Sequence, residues 1–309
     1  MINIAFIGVG GVGGYFGGKM SQVMDNEMQR VYFVARGEHF KVIQEKGLIL
    51  KTNKEGTFNC KPYLVTDCIN DLPMLDICFI CVKGYDLERV VVQLQEKISD
   101  QTIIIPLLNG VDIYSRIRKV IKQGSIFPAC VYIGTHIKEP GLIEQNGGAC
   151  TLILGKDPNH LEREGDLVCQ LFEKAHIKYD FTSEHIKEIW QKYIFIAAYG
   201  LVTASEHKTL GQVYEEDASS QVVKGIMHEI VKVGQAEGVE LTDAMVEVAY
   251  QKARNFPYDV KTSFQRDYEA GKLDERELFG GTLLALAQKH QIDVPFITQV
   301  DGLINGKNR

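Results

Sequence analysis

With 309 residues, 45% of them hydrophobic, the chain is longer than one core ordinarily organises, and its formal net charge of −6 without runs of like charge excludes a nucleic-acid surface. Its most apolar stretch, Tyr193 to Val202, is well short of the roughly 20 residues a spanning helix needs, and the N-terminus reads as a fold element rather than a signal peptide, so no membrane partner is expected. Seven scattered cysteines, an odd number, exclude a disulfide framework and point to a reducing, cytoplasmic setting.

The chain opens on an apolar strand, Ile2 to Ile7, that runs into Gly8-Val9-Gly10-Gly11-Val12-Gly13-Gly14. Gly8, Gly10 and Gly13 fit G-x-G-x-x-G. In that pattern the first glycine makes a tight turn, the second lets backbone approach a pyrophosphate, and the third lets helix pack on strand. The helix that follows, to about Asp25, aims free N–H groups and a partial positive charge at the phosphates. A second strand, Val31 to Ala35, ends in Arg36. An acidic residue near that strand end accepts the ribose 2′-hydroxyl of NAD, whereas an arginine accommodates the 2′-phosphate of NADP, so Arg36 favours NADPH.

A short helix, Glu38 to Lys46, stops at Gly47, and the runs 48–51 and 57–60 flank a hairpin turn that reads as decoration on the sheet. The parallel pattern resumes with strand Asp76 to Val82, a helix from Tyr85 to Lys97, and strand Thr102 to Leu107. Cys78 and Cys81 form C-x-x-C within a strand, where side chains three apart face opposite sides; they read as core residues, and no metal site is expected. Lys83 and Asn109 lie just beyond strand ends, the edge at which open α/β sheets bind ligands. Residues 126–155 read as antiparallel strands, followed by a helix near Leu161 to Ala175 and a strand, Ile177 to Phe181.

From Thr182-Ser183, which can cap the next helix, the pattern is helical to the end: about 183–206, 219–237, 242–256, 259–271, 273–290 and 295–304. The fold class is therefore α/β, an N-terminal Rossmann-type doubly wound sheet (1–182, NADP-binding) with a C-terminal all-helical domain (183–309, substrate and catalytic). On the first of these helices Lys192 borders an apolar stripe, in one row with Ile196 and Gly200. Periodicity alone makes it a lysine that snorkels to solvent.

Taken together, these residues are similar to the ketopantoate reductase family, the NADPH-dependent 2-dehydropantoate 2-reductases, from end to end. Gly8-Val9-Gly10-Gly11-Val12-Gly13 resembles the family's nucleotide turn, Arg36 its 2′-phosphate arginine, Val82-Lys83 its lysine after the fourth strand, and Asn109-Gly110 its Asn-Gly. Trp190-Gln191-Lys192 looks like its W-x-K, followed by Thr203-Ala204, Ser263, Asp267-Tyr268-Glu269-Ala270-Gly271, Glu275 and His290 to Pro295. The resemblance implies hydride transfer from NADPH to the ketone of a small 2-keto acid, ketopantoate to pantoate in pantothenate and coenzyme A biosynthesis. Lys192 would be the general acid, Glu275 would orient substrate or cofactor, Asn109 would link cofactor to substrate, Ser263 would bind substrate, and Lys83 would contact cofactor. A homodimer is compatible with this reading.

The chain departs from the pattern at Ile196 and Gly200, where family members carry amide side chains. A reductase of another 2-keto acid or an imine is therefore the second expectation. A non-catalytic NADPH sensor is the third, opposed by the retained Lys192, Asn109, Ser263 and Glu275.

Overall fold

The computed structural model describes residues 1–306, which divide into two compact units. Unit 1 comprises Met1–Leu108 and Ile113–His185; unit 2 comprises Asn109–Asp112 and the chain from Ile186 onward. The sequence boundary at 182/183 lies three residues before the last of the three crossings between the units, at 185/186, but the Asn109–Asp112 segment groups with the helices rather than with the sheet.

In chain order unit 1 contains β1 (Ile2–Ile7), α1 (Gly11–Val23), β2 (Gln29–Val34), α2 (Gly37–Lys46), β3 (Leu48–Thr52), β4 (Gly56–Cys60), β5 (Leu64–Thr66), β6 (Ile77–Ile80), α3 (Leu87–Leu94), β7 (Ile103–Pro106), α4 (Ile113–Val120), β8 (Ser125–Ile126), β9 (Ala129–Glu139), β10 (Leu142–Leu154), α5 (Asp166–Lys174) and β11 (Lys178–Phe181). Six strands form one all-parallel sheet in the order β5-β2-β1-β6-β7-β8. Its middle strands read as near-continuous apolar runs because both faces are covered, and Ile4, Phe6, Phe33, Ile77, Phe79 and Ile105 are almost inaccessible to solvent. The order reverses at β1, so the turns after β1 and β6 flank the switch point where such sheets bind ligands.

The hairpin β3–β4 is not decoration on that sheet. It belongs to a second, mixed sheet, β11-β10-β3-β4 with β9 paired to β10. The first four residues of β10 pair with β3 and its last four with β11, a pairing between distant segments that local pattern does not reveal. Helix α1 is packed from both sides. A Cβ on Gly17 would lie 2.8 Å from Phe33 and 3.0 Å from Phe6 of the parallel sheet, whereas one on Gly14 would lie 2.6 Å from Ile143 of the mixed sheet. Glycines along α1 thus let it pass between two layers. The short elements β5, β8 and α4 escape the sequence reading, and the helix expected from Leu161 begins only at Asp166, since Gly165 must pass against the Phe181 ring. Cys78 is fully buried in β6, while Cys81, just after that strand, is half-buried; burial pushes both thiols upward, away from reactivity.

Buried His185 and half-buried His39 make unit 1 sensitive to acid. Gly141 N–H donates to His39 Nδ1 at 2.9 Å, so the proton of this ring sits on Nε2. His185 Nδ1 lies 2.9 Å from the Thr182 carbonyl, to which it donates, and its Nε2 is buried without a partner. Burial holds both imidazoles below the ordinary histidine value. A group depressed in the folded state takes up its proton more readily when unfolded, so this contribution is complete above the unfolded value of about 6.5 and is lost as pH falls through it toward the folded values. The melting temperature is expected to fall between about pH 7.5 and about pH 5.5, and less steeply in a His39→Gln/His185→Gln double variant. Equal slopes for the two proteins would exclude these histidines as the cause.

Unit 2 contains α6 (His185–Glu206, from Ile186 on), α7 (Leu210–Glu215), α8 (Asp217–Ala236), α9 (Asp243–Gln251), α10 (Ser263–Glu269), α11 (Thr282–Lys289) and α12 (Pro295–Gly306). Thr182 does not cap α6 directly; its Oγ1 accepts the Glu184 N–H, one residue ahead of the helix. Trp190 packs against Gly234 of α8, where a Cβ would come within 2.9 Å of the indole. Buried Glu229 accepts the N–H groups of Phe296 and Ile297 at 2.8 and 2.9 Å, capping α12. The helix expected over 273–290 starts later and irregularly, with a π-helical turn, Glu277–Gly281, leading into α11. No helix among the described residues is long and apolar enough to cross a membrane.

Candidate active site

In unit 1 the glycine turn is tied to the ends of two neighbouring strands. Gly8 and Val9 donate to the Val34 carbonyl at 3.0 and 3.2 Å, and Cys81 donates to the Ile7 carbonyl at 2.8 Å. Arg36 follows β2 by two residues and Lys83 follows β6 by three, so both come just after the strands that flank β1. Each glycine has its own reason to be there. Gly8 has a φ of 95°, in the region that favours glycine, and a Cβ would meet Val82 and the Cys81 backbone. A Cβ on Gly13 would lie 2.2 Å from the Gly8 carbonyl oxygen, and one on Gly11 would crowd the Thr135 backbone at 2.8 Å. Gly10 is different: a Cβ there would meet nothing within 4 Å. The protein itself does not require Gly10 to lack a side chain, whereas a pyrophosphate seated on the N-terminus of α1 does. The turn therefore fits the pyrophosphate of a dinucleotide at Gly10.

Arg36 occupies the position preceding α2 and faces a carboxylate that the sequence reading missed. Its Nη2 donates to Asp86 Oδ2 at 2.5 Å, and Arg89 Nη2 donates to Asp86 Oδ1 at 2.7 Å. Asp86 sits in a 3-10 turn, Gly84–Asp86, which begins directly after Lys83. No motif flags it.

In unit 2 the two residues that sequence placed far apart are joined. Lys192 Nζ donates to Asn109 Oδ1 at 2.7 Å, across 83 positions of chain. This bond fixes the direction of the ammonium and turns the amide so that its oxygen faces the lysine. Trp190 and Tyr193, on either side of Lys192 in α6, are both buried, so the helix face that carries the lysine cannot rotate freely. The Tyr193 hydroxyl reaches the carbonyls of Leu278 and Phe279, at 2.5 and 3.0 Å, and so anchors the π-helical turn to α6. Such turns recur at functional sites, and this one starts two residues after Glu275. Glu275 is buried, and its carbonyl accepts the Phe279 N–H at 3.2 Å. Ser263 is exposed at the first position of α10, where Thr262 rather than Ser263 caps the helix by accepting the Gln265 N–H.

At the Gly200 end of the row Lys192, Ile196, Gly200 the surroundings are apolar. Ile196 is half-buried, and Phe279 fills the space beside Gly200, where a Cβ would touch its ring at 3.4 Å and Phe264 at 3.7 Å. Phe264 and Phe279 meet edge to face at 5.5 Å. A methyl group fits at position 200; an amide side chain would have to displace two buried rings.

Comparison with known proteins bears on the family and the fold. Residues 4–159 match the family model for ketopantoate reductase PanE/ApbA, and residues 184–308 match the model for its C-terminal domain. The chain belongs to the ketopantoate reductase family. It is 26% identical over 306 residues, 99% of each chain, to the 2-dehydropantoate 2-reductase of Caulobacter vibrioides, and 24% identical over 294 residues, 95% of each, to the uncharacterized oxidoreductase YkpB of Bacillus subtilis. Among solved structures, the ternary structure of D-mandelate dehydrogenase with NADH and anilino(oxo)acetate superposes with a TM-score of 0.87 at 18% identity, covering 99% of this chain and 98% of that one. The Rossmann-like parallel sheet and helical C-terminal domain are those of the family, and the protein is an oxidoreductase of the ketopantoate reductase type.

Proposed function

We propose that the protein reduces the ketone of a small 2-keto acid to a 2-hydroxy acid with NADPH, and that its substrate is ketopantoate, which would place it in pantothenate biosynthesis. The observation that carries the reading is the 2.7 Å bond from Lys192 to Asn109. It holds an ammonium in a fixed direction, ready to polarise a carbonyl and give its oxygen a proton. The nicotinamide cofactor, when bound, supplies the hydride. Gly8 to Gly13 would seat its pyrophosphate, Arg36 its 2′-phosphate and Lys83 its ribose side. Ser263 and Glu275 would hold the substrate's polar ends and orient it. Thiols that form no disulfide among the described residues support a cytoplasmic setting.

The test is NADPH oxidation measured against a panel of 2-keto acids that includes ketopantoate. The reading expects kcat/KM to be highest for ketopantoate. A negligible rate with every 2-keto acid would overturn it.

A second reading, a 2-keto acid with an apolar side chain, is favoured by Ile196 and by the Phe264–Phe279 pair beside Gly200. A similarly folded neighbour, D-mandelate dehydrogenase, binds anilino(oxo)acetate in its ternary structure. Ile196→Asn separates the two readings. If the substrate is ketopantoate, the new amide supplies a donor and an acceptor, and kcat/KM rises or holds. If the substrate is apolar, an unpaired amide is buried against it at about 1–3 kcal/mol, roughly a 5- to 150-fold loss. The quantity to compare is kcat/KM for ketopantoate over that for a branched 2-keto acid. An unchanged ratio would mean that Ile196 does not line the pocket.

A further inference from the structure

An acidic residue that selects NAD ordinarily stands at the end of the second strand, and here that position holds Arg36. The structure nevertheless brings an acid to it from another strand. Asp86 lies in the 3-10 turn after β6, closed by the Asp86 N–H to Lys83 carbonyl bond at 2.9 Å. Its carboxylate faces both terminal nitrogens of Arg36, with Nη2 to Oδ2 at 2.5 Å and Nη1 to Oδ1 at 3.4 Å, while Oδ1 also accepts from Arg89 at 2.7 Å. The acid is the fixed member of the trio: its side chain is 13% exposed, against 60% and 54% for the two arginines. Burial pushes the Asp86 carboxyl up, but the two guanidiniums outweigh it and hold it below the ordinary aspartate range.

We infer that Asp86 is a cofactor-specificity residue that opposes Arg36, so that the protein discriminates weakly between NADPH and NADH. The inference rests on the nicotinamide-cofactor reading above. A guanidinium binds a phosphate best through paired N–H groups on one edge, and the edge formed by Nη1 and Nη2 is already turned to Asp86. A 2′-phosphate at Arg36 must displace that carboxylate or lie beside it, and like charges at such range repel. A bare ribose 2′-hydroxyl meets the opposite situation. It donates to Asp86 just as it would to an acid at the end of the second strand. The same site thus contains an element favouring each cofactor, taken from two different strand ends.

The alternative is that Asp86 only positions Arg36 for the phosphate, and the two readings differ in sign. Dissociation constants for NADPH and NADH, from the fluorescence of the reduced nicotinamide, would be measured for the wild type, Asp86→Asn, Asp86→Ser and Arg36→Ala, with melting curves to show that each is folded. Removing the charge at position 86 is expected to tighten NADPH, weaken NADH, and raise the selectivity ratio about 10-fold or more, the size of one charge-assisted hydrogen bond. A ratio that holds or falls in both Asp86 variants overturns the inference. Arg36→Ala keeps the two proposals apart. If it weakens NADPH while the Asp86 variants leave the ratio alone, the NADP assignment stands and the role of Asp86 falls. If it changes neither cofactor while the Asp86 variants weaken NADH, the NADP assignment falls and Asp86 stands as the acceptor for the ribose.

Discussion

Lys192→Ala is expected to lower kcat on the best 2-keto acid by about 10²–10⁴-fold, the usual worth of a positioned general acid, while NADPH affinity stays within a few-fold of the wild type. The split follows from the placement of the residue. Lys192 is in unit 2, bonded to Asn109, whereas the glycine turn and Arg36 are in unit 1. Lys192→Arg should not restore the rate. A guanidinium keeps its charge but does not release a proton near neutral pH, so it can polarise a carbonyl without protonating it. Single-turnover oxidation of bound NADPH reports the chemical step directly, and fluorescence titration reports binding. Wild-type kcat in the alanine variant would return Lys192 to the role its helical periodicity suggests, a side chain lying along the border of an apolar face.

Two glycines of the nucleotide turn are expected to fail in opposite ways. Gly13→Ala forces a Cβ to 2.2 Å from the Gly8 carbonyl oxygen and 3.0 Å from the Cys81 Cβ, and neither neighbour is the end of a flexible chain. Overpacking of this kind costs about 1–3 kcal/mol or more, which corresponds to a drop in melting temperature of several degrees in a unit of this size. Gly10→Ala adds a Cβ in open space, so the melting temperature of the cofactor-free protein should hold. Its NADPH affinity should nonetheless fall about 10-fold or more, because the methyl group stands where backbone and pyrophosphate must meet. Melting curves with and without NADPH separate the two effects. Normal cofactor binding by Gly10→Ala would mean that the dinucleotide does not use this turn.

What could be read from the sequence follows the range of the interactions involved. The β1 to α1 turn was legible because its constraints are local: a strand, a left-handed glycine and a helix start lie within one short stretch. Lys192 was visible only through its W-x-K neighbours, and its bond to Asn109 spans 83 positions, so no pattern along the chain could supply it. Asp86 was invisible for the same reason. It reaches Arg36 because β6 and β2 both neighbour β1, a matter of strand order and not of spacing. The mixed sheet was misread because Ile49–Thr52 finds its partner in Leu142–Gln145. Ile113–Val120 did carry a signal, since Ile113 and Ile117 are buried four residues apart, but one spaced pair in so short a run is weak.

The helix threaded between two sheets has a consequence for how the chain comes to be folded. One face of α1 is covered by β1 and β2, which leave the ribosome at almost the same time as the helix itself. The other face is covered at Gly18 by Leu50 of β3 and Cys60 of β4, but at Gly14 it waits for Ile143 on β10, and until that strand arrives Gly14 presents bare backbone to water. Glycine is a poor helix former, so this segment has little structure of its own during synthesis. Formation of the nucleotide turn is thereby deferred to a late event of high contact order, in which β9 and β10 close over α1. In refolding from denaturant, competence to bind NADPH should therefore lag behind the recovery of parallel-sheet signal, and amide protons along α1 should become protected together with those of β10 rather than with those of β1.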